Sequence, residues 1–236
     1  PAATSEVPSP SDAGAAPRAL PERESLDRLA AAGVPTISTT PAADPESAVA
    51  AWRELGRPVA LKLDAPGLAH KSEVGGVVLL LDDEVAVRAA AAGLLHAGAG
   101  LAAGTRGLLV QPMVPRGIEM IVGARRDPQV GPLVVVGLGG VLAEALDDVA
   151  VALAPISAAD ATDLLGRLRG ARLLDGFRGG PVVDRTAVGE IVAAISRLIA
   201  GDDEIHEIDL NPVIAGSAGA LAVDALVVLR APRSPS

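Results

Sequence analysis

The order of strand-like and helical blocks most constrains how this chain can fold. An apolar run at Pro58 to Leu63 (PVALKL) reads as a buried strand, a second strand follows at Gly76 to Leu81, and an Ala-rich helix runs from about Asp83 to Ala97. Upstream, Leu26, Leu29 and Ala30 have the spacing of a helix that begins at Glu24 and stops at Gly33, and a second helix spans Pro45 to Leu55 before Gly56. Strand patterns then follow one another at 107–114, 119–126 and 133–137. Helical patterns at 158–174 and 185–200 come next, and a hairpin from Glu204 to Leu229 closes the chain. Blocks mixed in this way predict an α+β fold of two lobes rather than a regular doubly wound sheet. The division expected is a Pro/Ala/Ser-rich linker over 1–21, which cannot bury enough surface to offset its ordering entropy, a globular region over 22–230 and a tail over 231–236. Within the globular region the lobes are expected at about 35–110 and 111–230.

Composition removes several function classes. Half of the residues are hydrophobic, but they are Ala, Val and Leu, with one Trp, one Phe and no Tyr, so stacking platforms for single-stranded nucleic acid are missing. A net charge of −9 also opposes phosphate-backbone binding, and no nucleic-acid partner is expected. The absence of Cys fits a reducing cytoplasm, the expected location. The longest apolar stretch, 128–143, is interrupted by glycines and followed by Glu144, Asp147 and Asp148, so no membrane partner is expected either. The chain starts at Pro1 with no signal-peptide pattern and reads as a piece of something longer, with partner domains elsewhere.

In the terminal hairpin, two apolar strands flank Gly216-Ser217-Ala218-Gly219. If Ala215 pairs with Ala220 across the 216–219 loop, Asn211 falls opposite Asp224, and period-2 alternation puts Asp209 on the same face as Asn211. Three oxygen-bearing side chains then converge, a set suited to Mg²⁺ shared with a substrate's phosphates. The other reading is that the two acids are solvated positions on an edge hairpin. Pro212 could introduce a bulge and shift the register.

Lys62 interrupts an apolar strand and needs an anion, either a neighbouring carboxylate or an anionic ligand. The loop after it, APGLAHKSEVGGV, collects His70, Lys71 and Ser72 beside two glycines, which favours the ligand. His70 could take a phosphoryl group on nitrogen with Lys71 offsetting its charge, or be an ordinary polar loop residue. His96 and His206 are read as structural.

Taken together, AAGVPT (31–36), PVALKLDAPGLAHKSEVGGV (58–77), the segment 108–156, and IDLNPVIA with AVDA (208–215 and 222–225) resemble the ATP-grasp domain, or beta subunit, of NDP-forming acyl-CoA synthetases such as ADP-forming acetate–CoA ligases. The resemblance implies an ATP-grasp fold, two α+β subdomains clamping a nucleotide, with ATP/ADP and Mg²⁺ as cofactors. It implies that Lys62 contacts phosphates and that Gln111, Pro112, Met113 and Val114 form the hinge that reads adenine, with Glu119 nearby. It further implies that Asn211 and Asp224 bind the metal with Asp209 adjacent, and that His70 is transiently phosphorylated. Glu73 and Gly67 stand where relatives often carry Asp. The family's CoA-binding and ligase domains are not in this sequence and are expected in trans or upstream, in a hetero- or homo-oligomer. The activity implied is the nucleotide half of an ATP-dependent acyl-CoA ligase. The alternative is a regulatory nucleotide-binding domain of a larger protein, such as a protein acetyltransferase.

Overall fold

The structure is a computed structural model that describes residues 17–56, 58–65, 74–101, 104–140 and 148–231. Two antiparallel sheets organise it. The smaller has the order β2 (Thr40–Ala42), β5 (Gly107–Pro112), β3 (Val59–Asp64), β4 (Val77–Leu81). Alternation on β3 decides its two faces. Val59, Leu61 and Leu63 join Val49 of α2 (Pro45–Leu55) and Val87, Ala91 and Leu94 of α3 (Glu84–Ala99) in a closed core. Ala60 and Lys62 point the other way. Both helices start on an Asp: the Asp44 side chain accepts from Ser47 N at 2.7 Å and that of Asp83 from Ala86 N at 2.8 Å, so each satisfies an otherwise orphan N–H. Gly56, at φ +60, ends α2 in the left-handed conformation that a Cβ disfavours.

The larger sheet has the order β1 (Arg18–Ala19), β11 (Leu226–Leu229), β9 (Ile205–Gly216), β6 (Ile118–Asp127), β7 (Gly131–Leu138), β8 (Val149–Leu153), with β10 (Gly219–Ala222) also on β9. Its inner face carries Met120, Val122, Val134, Val136, Ile208, Leu210 and Val213 against α1 (Glu22–Ala31), α4 (Ala158–Gly166) and α5 (Arg185–Gly201). α5 supplies Val188, Ile191, Val192, Ile195 and Ile199, all fully buried, each worth about 1.5–3 kcal/mol of apolar transfer. The N-terminal segment belongs to this sheet: β1 pairs with β11, and Leu26 and Leu29 enter its core. Among the described residues no helix is long and apolar enough to cross a membrane.

Several elements depart from the sequence reading. α1 begins at Glu22, not Glu24. The helix expected over 158–174 stops at Gly166 and gives way to a 3₁₀ turn at Ala171–Leu174. The cause is Asp148, whose buried carboxylate draws in the chain by accepting from Arg169 N at 2.9 Å and Gly170 N at 2.7 Å. β8 had no forecast. The last strand of the hairpin is split into β10 and β11.

Candidate nucleotide site

The hairpin register agrees with the expectation near its tip. Ala215 pairs with Ala220, and Ala222 with Val213, although the turn itself is the tighter Ser217-Ala218 because Gly216 and Gly219 also pair. Beyond the 223–225 break, β11 resumes the same register, with Leu226 opposite Asp209. Asn211 and Asp224 are thus held across from one another, and Val223 N donates to Pro212 O at 3.1 Å. The bulge anticipated at Pro212 lies on the other edge of β9. Against β6, Met120 pairs with Val213 but Val122 with Leu210, so Asn211 and Pro212 together span the place of Ile121. This extra residue flips the alternation: Leu210 and Val213 both enter the core, while Asn211, Pro212 and Ile214 look out onto the open face.

That open face meets the open face of the smaller sheet across a cleft of about 570 Å³. From the smaller sheet come Ala60, Lys62, Val77, Leu79, Gln111 and Pro112; from the connection to β6 come Met113, Val114 and Arg116; from the larger sheet come Glu119 and Asn211, with Asp224 from the break between β10 and β11. Residues separated by about half the chain therefore line one cavity. Asn211 and Asp224 border the cleft, while Asp209 lies farther along β9 opposite Leu226, on the strand face that Asn211 also uses and outside the cleft lining. Among the described residues no group of three or more His, Cys, Asp or Glu is placed to hold a metal. Asn211 and Asp224 still offer an amide and a carboxylate oxygen, the hard donors that Mg²⁺ takes when phosphates complete its shell. His70 and Lys71 lie outside the described residues.

Lys62 is 6% exposed, and its ammonium donates to Glu22 Oε1 at 2.8 Å, Val223 O at 2.8 Å and Asp224 Oδ2 at 3.0 Å. All three N–H bonds of the ammonium are used. Burial pushes the pKa of Lys62 down, but the charges of Asp224 and Glu22 outweigh it and the group is held above its ordinary value, fully cationic at neutral pH. The sequence left two partners open for Lys62, and the carboxylate reading holds in the protein alone.

Gln111, 1% exposed, turns its amide to Glu22 Oε1 at 3.0 Å and Thr39 Oγ1 at 3.2 Å. Its side chain is committed to these two bonds where it borders the cleft, and Pro112, Met113 and Val114 continue the lining beside it. Met113 N donates to Pro58 O at 2.8 Å, which ties this hinge to β3. Glu119 is backed by Gly139, whose N–H donates to Glu119 O at 2.7 Å; a Cβ on Gly139 would come within 2.9 Å of the Glu119 backbone. Sequence reasoning missed Glu22, Thr39 and Arg116. Glu22 sits two residues ahead of the forecast helix start, in an ordinary N-terminal acidic position, and no local pattern marks it.

The family profile described as ATP-grasp domain matches residues 13–229. The chain belongs to the ATP-grasp family. This ATP-grasp chain is 36% identical to the beta subunit of an ADP-forming acetate–CoA ligase I of Pyrococcus furiosus, over 90% of the chain and 92% of that subunit. It is 40% identical to a trans-feruloyl-CoA synthase of an unknown prokaryotic organism, over 89% of the chain but only 30% of the synthase, so it spans less than a third of that relative. Among solved structures, the dinucleotide forming acetyl-coenzyme A synthetase 1 of Ca. Korarchaeum cryptofilum, in complex with coenzyme A, Ca-AMPCP and HgCl⁺, superposes with a TM-score of 0.86 at 40% identity, covering 90% of this chain and 94% of that one. The two-lobed ATP-grasp fold expected from the sequence is the one observed.

Proposed function

We propose that this ATP-grasp chain performs the nucleotide half-reaction of an NDP-forming acyl-CoA ligase, exchanging a phosphoryl group between ATP/ADP and a phosphohistidine of a CoA-binding partner. The observation that carries this reading is the single cleft that joins Lys62, the 112–114 hinge, Glu119, Asn211 and Asp224. Phosphoryl transfer needs little covalent help from a protein beyond positioning and charge neutralisation. In this assignment the hinge and Glu119 hold the nucleoside and Lys62 meets the phosphates. Asn211 and Asp224, with Asp209 farther along β9, hold Mg²⁺, which neutralises phosphate charge when bound. Placing the adenine against Met113 and Val114 puts the phosphates toward the charged end of the cleft.

The overall sequence converts acyl-CoA and phosphate to acyl phosphate and CoA on the partner domains. The acyl phosphate then passes its phosphoryl group to a histidine nitrogen and releases the acid. The P–N bond finally breaks as the phosphoryl group moves to ADP by way of His70, with Lys71 offsetting its charge, and each step can run in reverse. Relatives that are fused or built with separate subunits support a CoA-binding partner in the same polypeptide or in trans, and we assign the assembly to the cytoplasm. The test is to incubate the chain with its CoA-binding partner, radiolabelled ATP and Mg²⁺, beside His70→Ala. Acid-labile protein label in the parent, lost in His70→Ala, is expected. No acid-labile label in the parent would sink the assignment.

A further inference from the structure

Among the described residues, a buried polar cluster centres on a residue the assignment above does not use. Glu22 is the first residue of α1 and only 4% exposed. An acid in the first turn of a helix is ordinarily solvated and gains a little from the helix dipole. Here the same oxygen, Oε1, accepts from Lys62 of β3 at 2.8 Å and from Gln111 of β5 at 3.0 Å. Gln111 in turn donates to Thr39, close to the chain crossover between the lobes. One carboxylate from the larger lobe therefore fixes two neighbouring side chains of the smaller one.

The two acids that hold Lys62 differ in exposure. The Glu22 side chain is 1% exposed and that of Asp224 is 28% exposed and borders the cleft. Because all three ammonium N–H bonds are in use, Lys62 can reach a phosphate only by giving one up. The bond to Asp224 is the one an arriving nucleotide phosphate with its cation can displace, since this side chain borders the cleft, is partly exposed and can turn away, whereas the Val223 carbonyl is fixed in the backbone. The bond to Glu22 faces away from the cleft and stays.

We infer that Glu22 is the positioning residue of the phosphate site: it anchors Lys62 from behind, so that when Asp224 is released the ammonium stays aimed at the nucleotide phosphates. This inference rests on the assignment of the cleft to a nucleotide. Glu22 lies outside the cleft lining, so its effect through Lys62 is confined to ligands that carry phosphates.

Calorimetric titration of the full chain with MgADP and, separately, with adenosine tests this for the parent, Glu22→Ala and Glu22→Gln. Glu22→Gln keeps an oxygen where Oε1 sits, and it serves as the conservative rescue. The expected result is that Glu22→Ala weakens MgADP binding about tenfold while adenosine affinity is unchanged, and that Glu22→Gln recovers MgADP affinity to within about threefold of the parent. Undiminished MgADP binding by Glu22→Ala would overturn the inference. So would an equal loss for MgADP and adenosine, which would mark Glu22 as a packing residue, and so would a Glu22→Gln as weak as Glu22→Ala. A parent that binds neither ligand would instead defeat the nucleotide assignment itself, so the two failures are separable.

Discussion

At Lys62 two demands meet in one side chain. A buried ammonium is tolerated only if its charge is balanced, and the chain balances it with Glu22 and Asp224 rather than leaving it to the ligand. Removing the lysine should therefore damage the fold as well as the site. Lys62→Met leaves the Glu22 carboxylate buried beside an apolar chain, and a loss of about 3–5 kcal/mol in urea unfolding is expected for an ion pair broken on one side. The double variant Lys62→Met/Glu22→Gln removes the stranded charge and should recover more than half of that loss without recovering MgADP binding. If both variants unfold at the same urea concentration, the stability cost does not come from an unbalanced Glu22. If the double variant binds MgADP like the parent, Lys62 is not the phosphate contact. The sequence showed that Lys62 needed an anion, because a charge in an apolar strand is conspicuous locally. It could not show which anion, because Glu22 and Asp224 reach Lys62 only after the two lobes are assembled.

Elements were legible in the sequence in proportion to how local their causes are. The β9–β10 pairing follows from turn composition and alternation, so Ala215 opposite Ala220 was readable directly. The bulge opposite Ile121 depends on β6, about ninety residues away in sequence, and no feature of the hairpin alone assigns it to that edge. The shortened α4 is the same kind of case. Its apolar spacing continues past Gly166, but Asp148 takes the N–H groups of Arg169 and Gly170 into a turn. Burial tends to raise the pKa of that carboxyl, and the N–H groups of Gly170 and Arg169 outweigh it and hold the value below the usual carboxylate range. A carboxyl with a depressed folded pKa contributes stability that is present above its unfolded value, about 3.9, and is lost as pH falls through the folded one. Asp148→Asn keeps one acceptor and turns an NH₂ toward the other N–H, so a loss of about 1–3 kcal/mol is expected near pH 7. The gap from the parent should close as pH is lowered from about 4. A gap that is the same at pH 7 and pH 3 in chemical denaturation would refute the role of the charged form.

The molecule as a whole consists of two cores with a cleft between them, and buried side-chain bonds from Lys62 and Gln111 cross from the smaller lobe to the larger beside it. Each core closes its own apolar surface, so the lobes have separate reasons to be stable, and a ligand that touches both gives them a common one. Binding to the folded state stabilises by mass action, about 2.7 kcal/mol at a hundred times Kd. In the proposed assignment a nucleotide held by Met113 and Val114 at one end and by Lys62, Asn211 and Asp224 at the other would require both lobes intact, and that free energy should appear in the unfolding of each. The sequence supplies the probe, because its single Trp, Trp52, packs against the smaller core, while far-UV circular dichroism reports the helices and strands of both. Saturating MgADP should raise the melting temperature seen by Trp52 fluorescence and that seen by circular dichroism by the same amount, several degrees for a chain of this size. Adenosine, which has no phosphates to offer Lys62, Asn211 and Asp224, should give a smaller shift at the same concentration. A shift seen by circular dichroism with the Trp52 transition unmoved would place the ligand on the larger lobe alone. The cleft would then not be a clamp, since a clamp must draw on the folding of both of its jaws.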